Sequence, residues 1–178
     1  MTTPIPDPLV APMAADLVAC LVAAAAEIPN QVSDNPRIAC LRPGDRVELL
    51  IAQNRDECCE GLMWVRWVRA YPSSKAFPAP DSLPSRCGIT RWAVVFELGA
   101  VRCAPTSDMD TIPTCAEWDE ATLNVYDDGA AIRRAMCCFT DSHPYELVVQ
   151  SEGQPLTTEG GCVGVAYLMT TSVSACDC

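Results

Sequence analysis

Between Arg91 and Cys103 the sequence alternates without a break, with Trp92, Val94, Phe96, Leu98 and Ala100 at every second position. A strand sends successive side chains to opposite faces, so this spacing predicts a β-strand whose even-numbered face lies in a core. A sheet must therefore exist, and other elements must cover it. Fifteen prolines and nine glycines interrupt the chain too often for a helical bundle, a coiled coil or collagen. With 49% apolar residues over 178 positions there is material for one well-buried domain.

Pro4, Pro6 and Pro8 give residues 1–11 the character of an extended arm, ahead of a single domain over 12–173 and a short tail over 174–178. Pro12 suits the first turn of a helix, and the alanine-rich stretch that follows predicts a helix to Ile28, closed by Pro29-Asn30. Branched and aromatic residues predict antiparallel strands over Arg46–Ala52 and Leu62–Tyr71. In the second of these, a period of two sends Trp64 and Trp67 to opposite faces and likewise divides Arg66 from Arg69. Both faces then need cover, a helix on one and either the same subunit or a neighbouring one on the other. The proline- and serine-rich stretch Tyr71–Ser85 predicts a long irregular loop.

Thr114-Cys115-Ala116-Glu117 has the form of a capping box and predicts the start of a second helix. Trp118, Thr122, Val125, Gly129, Ile132, Met136 and Phe139 form one stripe on it, with a break expected at Asp128-Gly129. Tyr145–Gln150 and Gly161–Val173 are expected as closing strands around a Gly153–Gly160 turn. The predicted class is α+β: a mainly antiparallel sheet of four to five strands packed by two helices.

Twelve basic against 23 acidic residues leave a formal charge of −11, the opposite of what counterion release from nucleic acid requires. Seven acids and no Lys or Arg fall between Cys103 and Ile132, which predicts a strongly negative surface or a solvated helix face. The apolar run Leu17–Ala26 is too short to span a membrane, and no basic residue precedes it as a signal peptide would need. No membrane association and no export are expected. The twelve cysteines include no Cys-x-x-Cys, and His143 is the single histidine, which argues against structural zinc. Their even number allows a disulfide framework, and buried free thiols remain the other reading. Lys75 is the single lysine and no phosphate-binding loop precedes it, while Asp108-Met109-Asp110 lacks the rest of a calcium loop. His143 sits in a turn with no nucleophile context, so no catalytic, cofactor or metal residue is expected.

Several phrases resemble the tail-terminator proteins, also called tail-completion or head-to-tail connector proteins, of long-tailed bacteriophages of actinobacteria. They are Cys58-Cys59-Glu60-Gly61-Leu62-Met63-Trp64-Val65-Arg66, Tyr71-Pro72-Ser73-Ser74 with Phe77-Pro78, Phe96-Glu97-Leu98-Gly99-Ala100-Val101-Arg102-Cys103-Ala104-Pro105, and Gly160-Gly161-Cys162-Val163-Gly164. The likeness spans about residues 10 to 173. It implies a non-enzymatic virion protein assembled in the host cytoplasm, six copies of which form a ring. The ring would cap the major tail tube protein and meet the neck or head-closure protein, with DNA passing its lumen unbound. In such a ring Trp64, Arg66, Trp67, Arg69 and Phe77 are candidate contacts. Glu152 and Glu159, at the ends of a turn, are candidate lumen acids. Two alternatives stand beside it: a neck protein of the same connector, and a disulfide-stapled or thiol-rich binding module.

Overall fold

The computed structural model describes residues 9–28, 38–44, 61–74, 76–81, 91–105, 112–159 and 161–174. In chain order the elements are α1 (Val10–Ala26), β1 (Ile38–Leu41), β2 (Leu62–Pro72), β3 (Arg91–Cys103), α2 (Cys115–Ser142), β4 (Val148–Glu159) and β5 (Cys162–Ser174). The strands form one five-stranded sheet in the order β1-β2-β3-β5-β4. The fold is α+β, as expected. Its sheet is mixed rather than wholly antiparallel, because β1 runs parallel to β2. The predicted Arg46–Ala52 strand lies outside the described residues, as do residues 1–8 of the arm and the end of the tail.

Both helices lie on one face of the sheet. Met13, Ala14, Leu17, Cys20, Leu21, Ala24 and Ala25 recur at three- and four-residue spacing, so α1 presents one buried stripe. That stripe joins Met63 and Val65 of β2, Val94, Phe96, Leu98 and Ala100 of β3, and Ile132, Met136 and Phe139 of α2 in one apolar cluster. The even-numbered face of β3 is thus the core face, as its alternation predicts. Phe96 is completely buried there.

The opposite face is closed by a smaller cluster of Leu62, Trp64, Val101 and Cys162, flanked by Cys40 and Leu156. Trp64 faces Gly99 across the β2–β3 ladder, and a Cβ at Gly99 would overlap its indole. The glycine gives the ring room to lie flat on the sheet. Trp64 is 1% exposed, so the described chain covers it without a partner.

Period two fails once in β2. A bulge between Trp67 and Arg69 leaves Val68 unmatched, so Arg66 pairs with Glu97 and Arg69 with Val95, two positions on the same face of β3. Arg66 and Arg69 therefore share a face, contrary to the simple alternation. Trp67 pairs with Phe96 on the helix side, beyond the reach of β1, and is 52% exposed.

The capping box forms as expected. The Thr114 backbone N–H donates to Glu117 Oε2 at 2.6 Å, and the Glu117 N–H donates to Thr114 Oγ1 at 3.3 Å. The Thr114 backbone N–H first, and then its hydroxyl, which donates to the same Oε2 at 2.8 Å, hold the Glu117 carboxyl below the usual glutamate range. The lowered pKa means the cap is intact at neutral pH and is lost as pH falls through that lowered value. From there α2 runs unbroken for 28 residues, with Asp128 and Gly129 inside it. The anticipated break does not occur, because Asp128 finds a buried partner.

Two further differences concern loops. β2 ends at Pro72, where the loop folds back on itself: Ser73 Oγ donates to Ala79 O at 2.7 Å and Tyr71 Oη to Pro78 O at 2.6 Å, around a cis Phe77-Pro78 bond. The expected Gly153–Gly160 turn is instead the second half of β4, which pairs with β5 as far as Glu159 opposite Cys162. Gly161, at φ 80°, takes the tight reversal. Glycine also admits β4 at Gly153, where a Cβ would overlap the Tyr167 ring.

Truncating Phe96 tests the core. Phe96→Ala is expected to cost about 3–5 kcal/mol in denaturant unfolding, and a loss under about 1 kcal/mol would show that this face is not the core.

Candidate functional site

Two arginines are internal, Arg66 and Arg102. Arg66 Nε and Nη2 donate to the two oxygens of Glu97, both at 2.6 Å, and Trp64 Nε1 donates to Glu97 Oε1 at 3.1 Å. One carboxylate thus satisfies an indole and a guanidinium in a planar bidentate pair on the face away from the helices. With Arg66 8% and Trp64 1% exposed, neither is on the chain's open surface.

Arg102 and Asp128 form the second such pair, at 2.6 and 3.0 Å, and here both side chains are almost wholly enclosed. This contact joins the end of β3 to the middle of α2. The acid stretch from Asp108 to Asp128 is therefore not all solvated, since its last member serves the core. Nearby, Arg133 donates to Tyr167 Oη at 2.7 Å and lies over that ring, tying α2 to β5.

Sulfur also cross-links elements. Cys20 of α1 is disulfide-bonded to Cys138 of α2, across a sequence separation of 118. Cys103 and Cys162 are also disulfide-bonded, whereas Cys40, Cys115 and Cys137 are free. The adjacent pair Cys137-Cys138 splits its roles because neighbours on a helix point in different directions: Cys138 meets α1 and Cys137 faces solvent. Both line a groove of about 500 Å³ between the helices with Ala23, Glu27, Arg133 and Asp141.

His143 caps α2 at its C-terminus. Its ring stacks on Phe139, Nδ1 lies 3.0 Å from Phe139 O, and Nε2 lies 3.3 Å from Asp16 Oδ2. Among the described residues no group of three His, Cys, Asp or Glu side chains is placed to hold a metal ion, and no helix is long and apolar enough to cross a membrane.

The exposed groups are more informative. On the flank of the sheet Trp67, Val68 and Leu41 are open to solvent, and Arg69, on the sheet face opposite to that of Trp67, lies 5.3 Å over the Tyr71 ring. Phe77, in the folded-back loop, is half-buried. At the start of α2 the predicted stripe leaves the core, with Trp118 42% exposed and Thr122 exposed, and beside it Leu123 is 55% and Tyr126 66% exposed. At its far end Tyr145 and Leu147 are exposed as well. Glu152 is exposed on β4, and Glu159 closes that strand. A smaller hollow of about 250 Å³ lies between Glu97, Glu152, Gln154, Leu156 and Leu168. The structure thus places Trp67 and Arg69 on an open flank and encloses Trp64 and Arg66. Trp118 was legible only as part of a core stripe, since periodicity does not tell where the sheet beneath a helix ends, and Tyr126 lay outside that stripe.

The chain matches no protein-family model and no curated protein.

Removing one member of the Arg102–Asp128 pair should be costly. Asp128→Ala is expected to lose about 3–5 kcal/mol by leaving a buried guanidinium uncompensated, while the double change Arg102→Met with Asp128→Leu should recover most of that loss. Equal losses in the single and double variants would show that the pairing itself carries nothing.

Proposed function

We propose that the chain is a structural subunit of a bacteriophage head-to-tail connector, a tail terminator that closes into a six-membered ring on the tail tube. The observation that carries this reading is the placement of the exposed apolar side chains in separate, unlike patches: Trp67 and Val68 on the sheet flank, Trp118, Leu123 and Tyr126 at one end of α2, Tyr145 and Leu147 at the other. A closed ring requires two different complementary patches on each subunit, and a ring between tube and neck requires further surfaces on its two faces. The phrase likeness from Cys58 to Gly164 and the α+β fold with both helices on one sheet face agree with it. The neck protein of the same connector is the nearest alternative.

The work assigned to such a subunit is mechanical. A tube grows by repeating one stacking contact, and a ring that matches the tube on one face and denies that contact on the other stops it. No catalytic group is required. The charge of −11 suits a lumen through which DNA slides, because adhesion needs cations that release counterions. Glu152, exposed on β4, is the clearest lumen candidate, and Glu159 ends the same strand. They lie on a strand rather than in a turn.

A specific observation favours a second reading. The Cys20–Cys138 bond and the bonded states of Cys103 and Cys162 are what a disulfide-stapled extracellular module would show. In the terminator reading these bonds close after the virion leaves the reducing cytoplasm. Thiol titration separates the two. Denatured, unreduced protein from released particles should titrate well short of twelve thiols, and protein from intact host cells should approach twelve. A chain that fails to fold without its disulfides favours the stapled module.

Genetic loss gives the direct test. Without this chain, heads and tails are expected to form but fail to join, and the tails to be irregular or overlong in electron micrographs. Joined virions with tails of normal length would defeat the terminator reading.

A further inference from the structure

Three cysteines carry free thiols among the described residues, and their settings differ. Cys40 is half-buried on β1, with Sγ 4.0 Å from Met63 O. Cys115 is exposed at the start of α2, one helical turn before the carboxylate of Asp119. Cys137 is exposed within the groove of about 500 Å³ between α1 and α2, a volume in the range of small-molecule sites. The other two sulfurs lining that groove, of Cys20 and Cys138, are bonded to each other. Successive residues on a helix point about 100° apart, so the side chains of Cys137 and Cys138 diverge. Cys137 is the one free thiol in this groove.

Charge is laid out around it in order. Arg133, Cys137 and Asp141 follow one another at intervals of four residues, so they form a row along one face of α2, about 6 Å from each to the next and about 12 Å overall. All three line the groove. Arg133 donates to the Tyr167 hydroxyl, and neither it nor Asp141 forms an ion pair among the described residues. Glu27 and Arg134, which line the groove as well, offset one another at 3.4 Å. Ala23, Ala24 and Ala130 add surface without bulk or charge. The groove thus offers an uncompensated cation, a thiol and an uncompensated anion, one helical turn apart.

We infer that Cys137 is a thiolation site, at which a short peptide with a central cysteine, a carboxylate at one end and an ammonium group at the other is held as a mixed disulfide. The peptide carboxylate meets Arg133 and its ammonium meets Asp141, with the two sulfurs joined between them. Three extended residues span about 10 Å, which suits the length of the row. The chemistry is thiol–disulfide exchange with the oxidised, disulfide-linked form of the peptide. The Cys137 thiolate attacks one peptide sulfur, an S–S bond forms between them, and the bond between the two peptides breaks. The second peptide leaves as a thiolate and regains the proton that Cys137 gave up to solvent, so one disulfide replaces another. No second thiol lines the groove to attack the product, so the adduct persists. The inference does not depend on the connector reading.

The test treats the full chain, its disulfides intact, with oxidised glutathione, and in parallel with the uncharged 2-hydroxyethyl disulfide. Mass spectrometry of unreduced peptides locates each adduct, and a time course gives the rate at each cysteine. Cys137 is expected to take up glutathione about 10-fold faster than Cys115, and this preference to fall to about 2-fold or less with the uncharged reagent. Asp119 near Cys115 slows an anionic reagent there as well, so the deciding arm is Arg133→Gln, checked for unchanged thermal unfolding. In that variant the glutathione preference should drop to the level of the uncharged reagent. Equal rates at Cys137 and Cys115 with glutathione would overturn the inference, as would a preference that survives Arg133→Gln in full, since the thiol would then be merely accessible. Opening of the Cys20–Cys138 bond ahead of any adduct at Cys137 would overturn it too.

Discussion

Burial of β3 on both faces is the constraint on which the other elements depend. On one side Val94, Phe96, Leu98 and Ala100 receive both helices, and on the other Val101 and Gly99 lie under Trp64. A central strand covered twice cannot slip by one residue without exposing a full row of apolar groups. Its register therefore sets that of β2 and β5, and through β5 that of β4. Gly99 belongs to the same constraint, because a side chain there would displace the indole that closes the second face.

Among the described residues, the buried charged groups enter this interior in pairs that satisfy one another. Glu97 serves both Arg66 and the Trp64 N–H, and Asp128 serves Arg102. Such pairs add little net stability, but an unpaired member is costly, so they discriminate against wrong arrangements more than they strengthen the right one. The Arg102–Asp128 pair has a geometric effect as well. It fixes how far α2 slides along the sheet, and hence how much of its first turns runs free. The Cys20–Cys138 bond holds the same helix against α1 nearer its C-terminal end. α2 is anchored at these two places and carries Trp118, Leu123 and Tyr126 in its exposed N-terminal part.

The margins of the sheet point the same way. The bulge in β2 and the proline in β4 protect the margins from indiscriminate strand pairing, so association is left to side-chain patches of defined shape and charge. Such margins are compatible with the ring subunit proposed above.

Much of this was legible in the sequence. The alternation of Arg91–Cys103 placed β3 and its core face, Thr114 and Glu117 placed the start of α2, and the alanine-rich stretch placed α1 to within two residues at each end. These signals are local: periodicity and capping act through neighbours three or four residues away at most. Other features depended on partners distant in sequence. The bulge that brings Arg66 and Arg69 to one face arises from matching β2 to β3. The continuity of α2 through Asp128-Gly129 depends on Arg102, 26 residues earlier. Glu152 and Glu159 fall in a strand because β5 offers a ladder to residues that look like a turn. The length, the composition and the local periodicities determined which segments would be helix or strand and which faces were apolar. Which carboxylates are buried, which tryptophan is open and where α2 leaves the sheet were decided by tertiary structure alone, because burial and charge pairing belong to contacts between segments that sequence does not place side by side.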